Sequence, residues 1–299
     1  MKSIAVIIPY FGIWPEWFEF FLESCRCNPS VDWLFFTDCD EIKSSCPNVR
    51  FERISFNDYC RRASICLKIN FSPRSPYKLC DIKPAYGFIH EKDIKDYDYF
   101  GYGDIDVIYG NIRNFINDDV LSHNMISTHY NRVSGHFALL KNTDDMRYAF
   151  GRIKNWQALF ENPNHLSIDE SKFTKVFLRH RKHPMLLRKA YGIFNRFQRN
   201  NYWQEQFSTI LSPQPWHDGN LEHPQEWYWH NGRLTNNYDG DREFMYLHFM
   251  NWKSSAWLPK EMRKRQERAA WEGLGSIVHM DKKEISHGFR INRTGFHPL

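Results

Sequence analysis

The sequence predicts an α/β fold: a mixed, mostly parallel sheet of the kind that binds nucleotides, flanked by helices and followed by a loop-rich C-terminal elaboration. Three observations in the first 55 residues predict it. Ser3 to Pro9 (SIAVIIP) is a short, β-branched, apolar run, the pattern of a strand buried on both faces of a parallel sheet. Trp14 to Cys25 carries apolar residues at helical spacing, with Pro15 near the first helical position, where proline is tolerated. Trp33 to Thr37 (WLFFT) repeats the buried-strand pattern and closes on Asp38, and Val49 to Ile54 alternates as a third strand.

Further along, residues 58–72 read as helical, and Lys78 to His90 as a turn leading into a helix. Tyr97 to Tyr102 (YDYFGY) is an aromatic strand that runs into Gly103-Asp104-Ile105-Asp106. Met125 to His129 and His136 to Leu140 read as two short strands, Thr143 to Phe160 as a helix, and Glu170 to Arg179 as another. Residues 180–200 are basic and irregular. Pro213 to Asn251 is a Trp-, His-, Gly- and Asn-rich segment with short strands, Pro259 to Glu272 a charged helix, and the stretch from Gly288 a tail. No internal repeat or low-complexity segment interrupts the pattern.

Composition narrows the function classes. The 299 residues suffice for a large hydrophobic core, and 42% apolar with 25% charged residues is ordinary for a globular chain. Aromatic residues reach 17%, a surplus that suits sugar or flat-ring ligands as well as an aromatic core. A net charge of +5 is too mild for a dedicated nucleic-acid binder, which concentrates basic charge on one face, but it suits anionic donors and an anionic membrane surface. All seven cysteines lie between Cys25 and Cys80 without a C-x-x-C pair, which argues against a disulfide framework and a zinc site. The opening MKSIAVIIPYFG lacks signal-peptide features, and no stretch approaches the ~18 apolar residues of a membrane span, so a cytoplasmic chain, soluble or peripheral, is expected.

The chemistry centres on Asp104 and Asp106. Two carboxylates two residues apart, at the carboxyl end of an apolar strand, can face one hard cation such as Mn²⁺ or Mg²⁺. Open α/β sheets bind ligands at that edge. Such an ion holds a diphosphate and neutralises charge on a leaving group. His248, in the apolar stretch YLHFMNWK, offers a third ligand.

Together IIPYFG, FFTD, YKLCDIKPAYG, FGYGDIDVIYGNI, SGHFALLKN, DESKFT and LHFMNWK, in this order over residues 4 to 253, resemble the GT-A fold glycosyltransferases that build bacterial surface polysaccharides such as O-antigen and capsule. The resemblance implies a nucleotide-diphosphate-sugar donor, UDP-sugars favoured, a divalent ion, and a glycan or lipid-linked glycan acceptor. It implies that Pro9, Tyr10 and Phe11 line the base and ribose pocket and that Asp38 bonds the base or ribose. Lys78, Asp81 and Lys83 would sit near the diphosphate and donor sugar, Asp104, Asp106 and His248 on the metal, and Gly135 and His136 beside the donor sugar. Asp169 and Glu170 would be the acidic residues beside the reacting sugar. A catalytic unit over residues 1–255, with a helix and tail over 256–299, is the corresponding domain division.

Plainer readings stand beside these. Asp38 also suits a cap, Lys78 and Lys83 surface charges, Asp169-Glu170 the acidic start of a helix, and His136 a core position. Glu205 and Asp218 are further candidates for a general base. Trp203, Trp216, Trp227 and Trp229 suit either an acceptor groove or a packed aromatic minicore. The basic residues from Lys260 to Arg268 suit either a solvated helix face or peripheral contact with the inner membrane. Two rival functions stand beside this one: a nucleotidyltransferase or phosphohydrolase, which would share the paired carboxylates but for which no P-loop or second metal cluster is present, and a non-catalytic carbohydrate-binding module, which loss of either aspartate would have favoured, yet both are present.

Overall fold

A computed structural model describes residues 1–40, 42, 46–178, 184, 195–207, 215–219, 221–258 and 260–299. The basic stretch of 180–200 lies largely outside these residues, as do Arg179, Pro213 and Pro259.

β1 (Ile4–Pro9), β2 (Val31–Thr37), β3 (Val49–Arg53) and β4 (Tyr99–Gly103) run parallel. They continue into β7 (Phe137–Lys141), antiparallel to β4, then β6 (Met125–Ser127) and β8 (Asn201–Trp203). The seven-stranded order is β3-β2-β1-β4-β7-β6-β8, a mixed, mostly parallel sheet as expected. Its central strands are buried on both faces, the reason β1 and β4 read as continuous apolar runs. β3 is one edge strand, and four of its five residues are exposed.

Two cores cover the two faces of this sheet. Helix α1 (Phe18–Arg26) contributes Phe18, Phe21 and Cys25 to one, which also holds Trp33, Tyr109 and Tyr246. Helix α2 (Phe56–Leu67) contributes Tyr59, Ala63 and Leu67 to the other. Ser55 caps α2 by accepting from the Asp58 N–H, and left-handed Lys68 ends it. α1 begins at Phe18 rather than near Trp14, because Trp14 stacks between Tyr10 and Phe18 instead of joining the helix.

The segments read as long helices are broken. Residues 144–161 form separate turns because Ile153 is extended and Asn155 left-handed. Glu170 to Arg179 is represented by single turns, Ile168–Ser171 and Thr174–Phe177. The charged segment after Pro259 is helical only over Lys260–Lys264.

The chain from Gly288 on is not a tail. β12 (Phe289–Asn292) and β13 (Gly295–Pro298) join the hairpin of β9 (Glu226–His230) and β10 (Arg233–Asn236) in an antiparallel sheet ordered β10-β9-β12-β13. A third core lies under it, holding Trp216, Trp227, Trp229, Trp252 and Trp271, so three of the four tryptophans singled out in the sequence form a packed minicore, while Trp203 packs against another core. All seven cysteines are free. No helix among the described residues is long and apolar enough to cross a membrane.

Candidate functional site

Asp104 and Asp106 leave the carboxyl end of β4, at the edge where parallel strands β1 and β4 lie side by side. The Asp104 N–H donates to the His136 carbonyl, and the Trp17 indole donates to the Ile105 carbonyl at 3.0 Å, pinning the loop from both sides. Immediately afterwards β5 (Val107–Tyr109) pairs antiparallel with β11 (Tyr246–His248), placing His248 opposite Val107. Gly110 permits this approach: a Cβ there would lie 2.2 Å from the Phe244 carbonyl oxygen. A pairing between residues about 140 positions apart in sequence thus delivers the imidazole to the carboxylates.

One ligand atom from each of Asp104, Asp106 and His248 lies within 4.8 Å of the others. His248 Nε2 stands 3.5 Å from Asp106 Oδ1, and its Nδ1 is buried without a hydrogen-bond partner. Two carboxylates and an imidazole not locked into another network fit a divalent cation such as Mn²⁺ or Mg²⁺. Two lysines balance the acids. Lys83 Nζ reaches Asp104 Oδ1 at 2.5 Å and the Gly135 carbonyl at 2.8 Å, and Lys253 Nζ reaches Asp106 Oδ2 at 2.5 Å. Burial works to raise the Asp106 pKa, but Lys253 and His248 outweigh it and hold the carboxyl well below the usual range. Burial likewise opposes charge on Lys83, and Asp104 overrides it, so Lys83 stays protonated.

These groups line a cavity of about 270 Å³ whose walls include Pro9, Tyr10, Phe11, Tyr77, Tyr86 and Trp257. Pro9, Tyr10, Phe11, Lys83, Asp104, Asp106 and His248 are therefore brought together. Lys253 belongs with them and was not singled out from the sequence. Its signal was the motif LHFMNWK itself, where the short helix Met250–Lys253 follows β11 and turns the lysine back toward Asp106.

Other candidates lie elsewhere. Lys78 and Asp81 are 1% and 0% exposed and pair with each other at 2.9 Å. Lys78 also donates to the Leu159 carbonyl, and Asp81 accepts from the Leu166 and Ile168 N–H groups, so the pair ties down the loop before Asp169 rather than facing the cavity. Asp38 accepts from the N–H groups of Gly12 and Phe56, bridging the turn after β1 to the start of α2. His136 backs the metal cluster: its ring stacks on His248 with centroids 4.1 Å apart and bonds the Tyr246 hydroxyl at 2.7 Å. Burial, then the nearby His248, drives its pKa well below the ordinary value and keeps it neutral.

Gly135 joins this cluster to the acidic pair. Its carbonyl accepts from Lys83 and its N–H donates to Glu170 Oε1 at 3.2 Å. A Cβ there would lie 3.0 Å from both Asp169 Oδ2 and Glu170 Oε1. Asp169 is buried, and its pKa is pushed up to about 7, by burial first, partly offset by Lys83, with Glu170 and Asp104 adding to the rise. Glu205 is buried against His129, away from this cavity. Asp218 is outside its lining as well.

No protein of curated function matches the sequence. Among solved structures the chain is similar to the galactosyltransferase LgtC in complex with donor and acceptor sugar analogues, at 10% identity over 88% of this chain and 99% of that one, TM-score 0.39. It is also similar to the glycosyltransferase GlyE of Streptococcus pneumoniae (12% identity, 69% of this chain and 47% of that one, TM-score 0.30). Mouse xyloside xylosyltransferase 1 is a third (10% identity, 66% and 92%, TM-score 0.33). Overlap this loose leaves the chemistry to be read from the site itself. A family model spans residues 6–270, nearly the whole chain, and the protein accordingly belongs to the family of unknown function DUF6625.

Proposed function

We propose that the protein is a metal-dependent glycosyltransferase that takes a sugar from a nucleotide-diphosphate donor, UDP-sugars favoured, and passes it to a carbohydrate acceptor. The observation that carries this reading is the convergence of Asp104, Asp106 and His248 within 4.8 Å at a cavity that also receives Lys83 and Lys253. Two lysines beside these carboxylates suit a site that receives an anionic diphosphate with a cation, because both kinds of positive charge can meet phosphate oxygens.

Asp104, Asp106 and His248 would hold Mn²⁺ or Mg²⁺, which when bound supplies charge neutralisation to the departing nucleotide diphosphate. Lys83 and Lys253, ion-paired to those carboxylates, are placed to turn toward phosphate oxygens once the acids engage the cation. The aromatic walls at Tyr10, Tyr77 and Trp257 offer flat faces to a base or sugar. Asp169 and Glu170 supply the carboxyl chemistry beside the donor sugar. A carboxyl with a pKa near 7 exchanges its proton readily at neutral pH, which suits Asp169 to acid–base work. Glu170, held at Oε1 by the Gly135 N–H, is its partner in that role. The acceptor class we favour is a lipid-linked polysaccharide on the cytoplasmic side of the membrane, with the exposed Lys260, Arg263 and Lys264 available to anionic lipid.

The test is release of nucleotide from a panel of UDP-, GDP-, CMP- and dTDP-sugars with Mn²⁺ or Mg²⁺, with Asp106→Ala alongside. Metal-dependent release from one donor, lost in the variant, is the expected result. Equal release with and without metal, or by both proteins, would remove the metal role from these aspartates.

A further inference from the structure

A second polar cluster lies beyond Glu170, outside the cavity. His129, His136 and Glu170 offer ligand atoms within 4.8 Å of one another, but a guanidinium already holds the space between two of them. Arg132 Nη2 lies 3.0 Å from His129 Nε2, and Arg132 Nε lies 3.6 Å from Glu170 Oε2. On the other side of the imidazole, His129 Nδ1 stands 3.0 Å from Glu205 Oε2. The chemistry of the end groups assigns every proton in between. A carboxylate only accepts and a guanidinium only donates, so the hydrogen-bond geometry places the His129 ring proton on Nδ1 and its lone pair on Nε2 facing Arg132.

The fold builds this arrangement from separate segments and anchors each. The Ser127 hydroxyl donates to the Arg132 carbonyl and accepts from the N–H groups of His129 and Ser134, closing the loop between β6 and β7. The Val133 N–H donates to Thr174 Oγ1, whose hydroxyl donates to the Glu170 carbonyl, so the loop is tied to the turn that carries Glu170. Gln204 and Gln206 donate their N–H groups to the carbonyls of Ser127 and Thr128, which fixes Glu205 where the chain leaves β8. Glu205 and His129 are 6% and 3% exposed, whereas the Arg132 and Glu170 side chains are 37% and 38% exposed. The chain of groups thus runs from the interior outward and ends on the carboxylate. Arg132 Nε is buried without a hydrogen-bond partner, which leaves this donor available to the carboxylate it faces.

We propose that Glu205, His129 and Arg132 form a positioning relay that aims the Glu170 carboxylate, Arg132 being the residue that acts on it directly. This rests on Glu170 serving glycosyl transfer as described above. The Gly135 N–H holds one carboxylate oxygen and the guanidinium stands by the other, so each oxygen has its own partner. The buried Glu205 sets the tautomer of His129, and the tautomer sets where the guanidinium sits.

The experiment uses the full chain as wild type, Arg132→Ala and Arg132→Lys, with Mn²⁺ and the nucleotide-sugar panel. We expect Arg132→Ala to lower kcat about tenfold to a hundredfold while donor KM and Mn²⁺ affinity stay within about twofold, as for loss of a group that orients a catalytic residue. Added guanidinium, well below unfolding concentrations, should restore part of the loss, and equal potassium chloride should not. Arg132→Lys should fall between. Full kcat in Arg132→Ala, or a loss that guanidinium does not restore, overturns the relay. Nitrogen NMR of the His129 ring reads the geometry without any turnover: a ring protonated on Nδ1 alone is expected, and an Nε2-protonated ring overturns the assignment. A wild-type protein silent with every donor would sink the transferase reading alone, and the ring tautomer would still decide the relay geometry.

Discussion

At the scale of single residues, the site is a set of charges held in balance. Asp104 with Lys83 and Asp106 with Lys253 are near-neutral pairs, and each lysine is the kind of group that can exchange a carboxylate for a phosphate. Gly135 is the hinge between these pairs and the acidic residues, with its carbonyl on Lys83 and its N–H on Glu170. Replacing it with alanine puts a methyl group 3.0 Å from Asp169 Oδ2 and Glu170 Oε1, tight enough to push both carboxylates aside. We expect Gly135→Ala to lower kcat at least about tenfold, as misplacement of catalytic groups does, while the thermal midpoint falls by only a few degrees. Steady-state kinetics beside a melting curve checks this, and unchanged kcat would show that the carboxylates relax at no cost. The paired aspartates and the acidic DES were visible in the sequence because their chemistry is local. Lys253 escaped notice because an isolated lysine five residues after a histidine carries no signal until the short helix turns it back on Asp106.

At the scale of elements, polar side chains buried in the connections hold the site together. Asn48 donates to the carbonyls of Cys25, Asn28 and Val31, and Asn28 donates to the Gly110 carbonyl and accepts from the Ile112 N–H. The end of α1, the start of β2 and the turn after β5 are therefore one unit. The Lys78–Asp81 pair does the same for the loop that delivers Asp169. Lys78→Met leaves Asp81 as a buried, poorly compensated charge and should cost about 3–5 kcal/mol of stability, a value that urea unfolding would report. A cost below about 1 kcal/mol would mean that the backbone donors on Asp81 suffice without the lysine. The resemblance implied both residues near the diphosphate and donor sugar. In the structure they are buried and bonded to each other, to the Leu159 carbonyl and to the Leu166 and Ile168 N–H groups.

For the whole molecule, titration follows burial. His90 is 0% exposed, between the Tyr59 hydroxyl at 2.8 Å and Asp93 Oδ2 at 2.9 Å. Burial, opposed by Asp93, lowers its pKa from 6.5 to about 4, so folding favours the neutral ring. The sign follows: this stability is fully present above 6.5, the unfolded value, and is lost as the pH falls toward about 4. The loss amounts to about 3 kcal/mol, and His90→Gln should flatten the pH dependence of the urea midpoint across that window. An unchanged slope would assign the acid sensitivity to other groups.

The sequence by itself determined the α/β class, the parallel opening of the sheet and the position of Asp104 and Asp106 at a strand end. Buried strands, amphipathic helices and turns are written in short-range periodicity. The tertiary structure alone decided the rest. β11 pairs with β5 and so carries His248 to the aspartates, the strands after Gly288 close the small sheet over the tryptophans, and Glu205 meets His129. Each is a contact between segments far apart in sequence, selected by how whole surfaces pack and by where buried polar groups find partners.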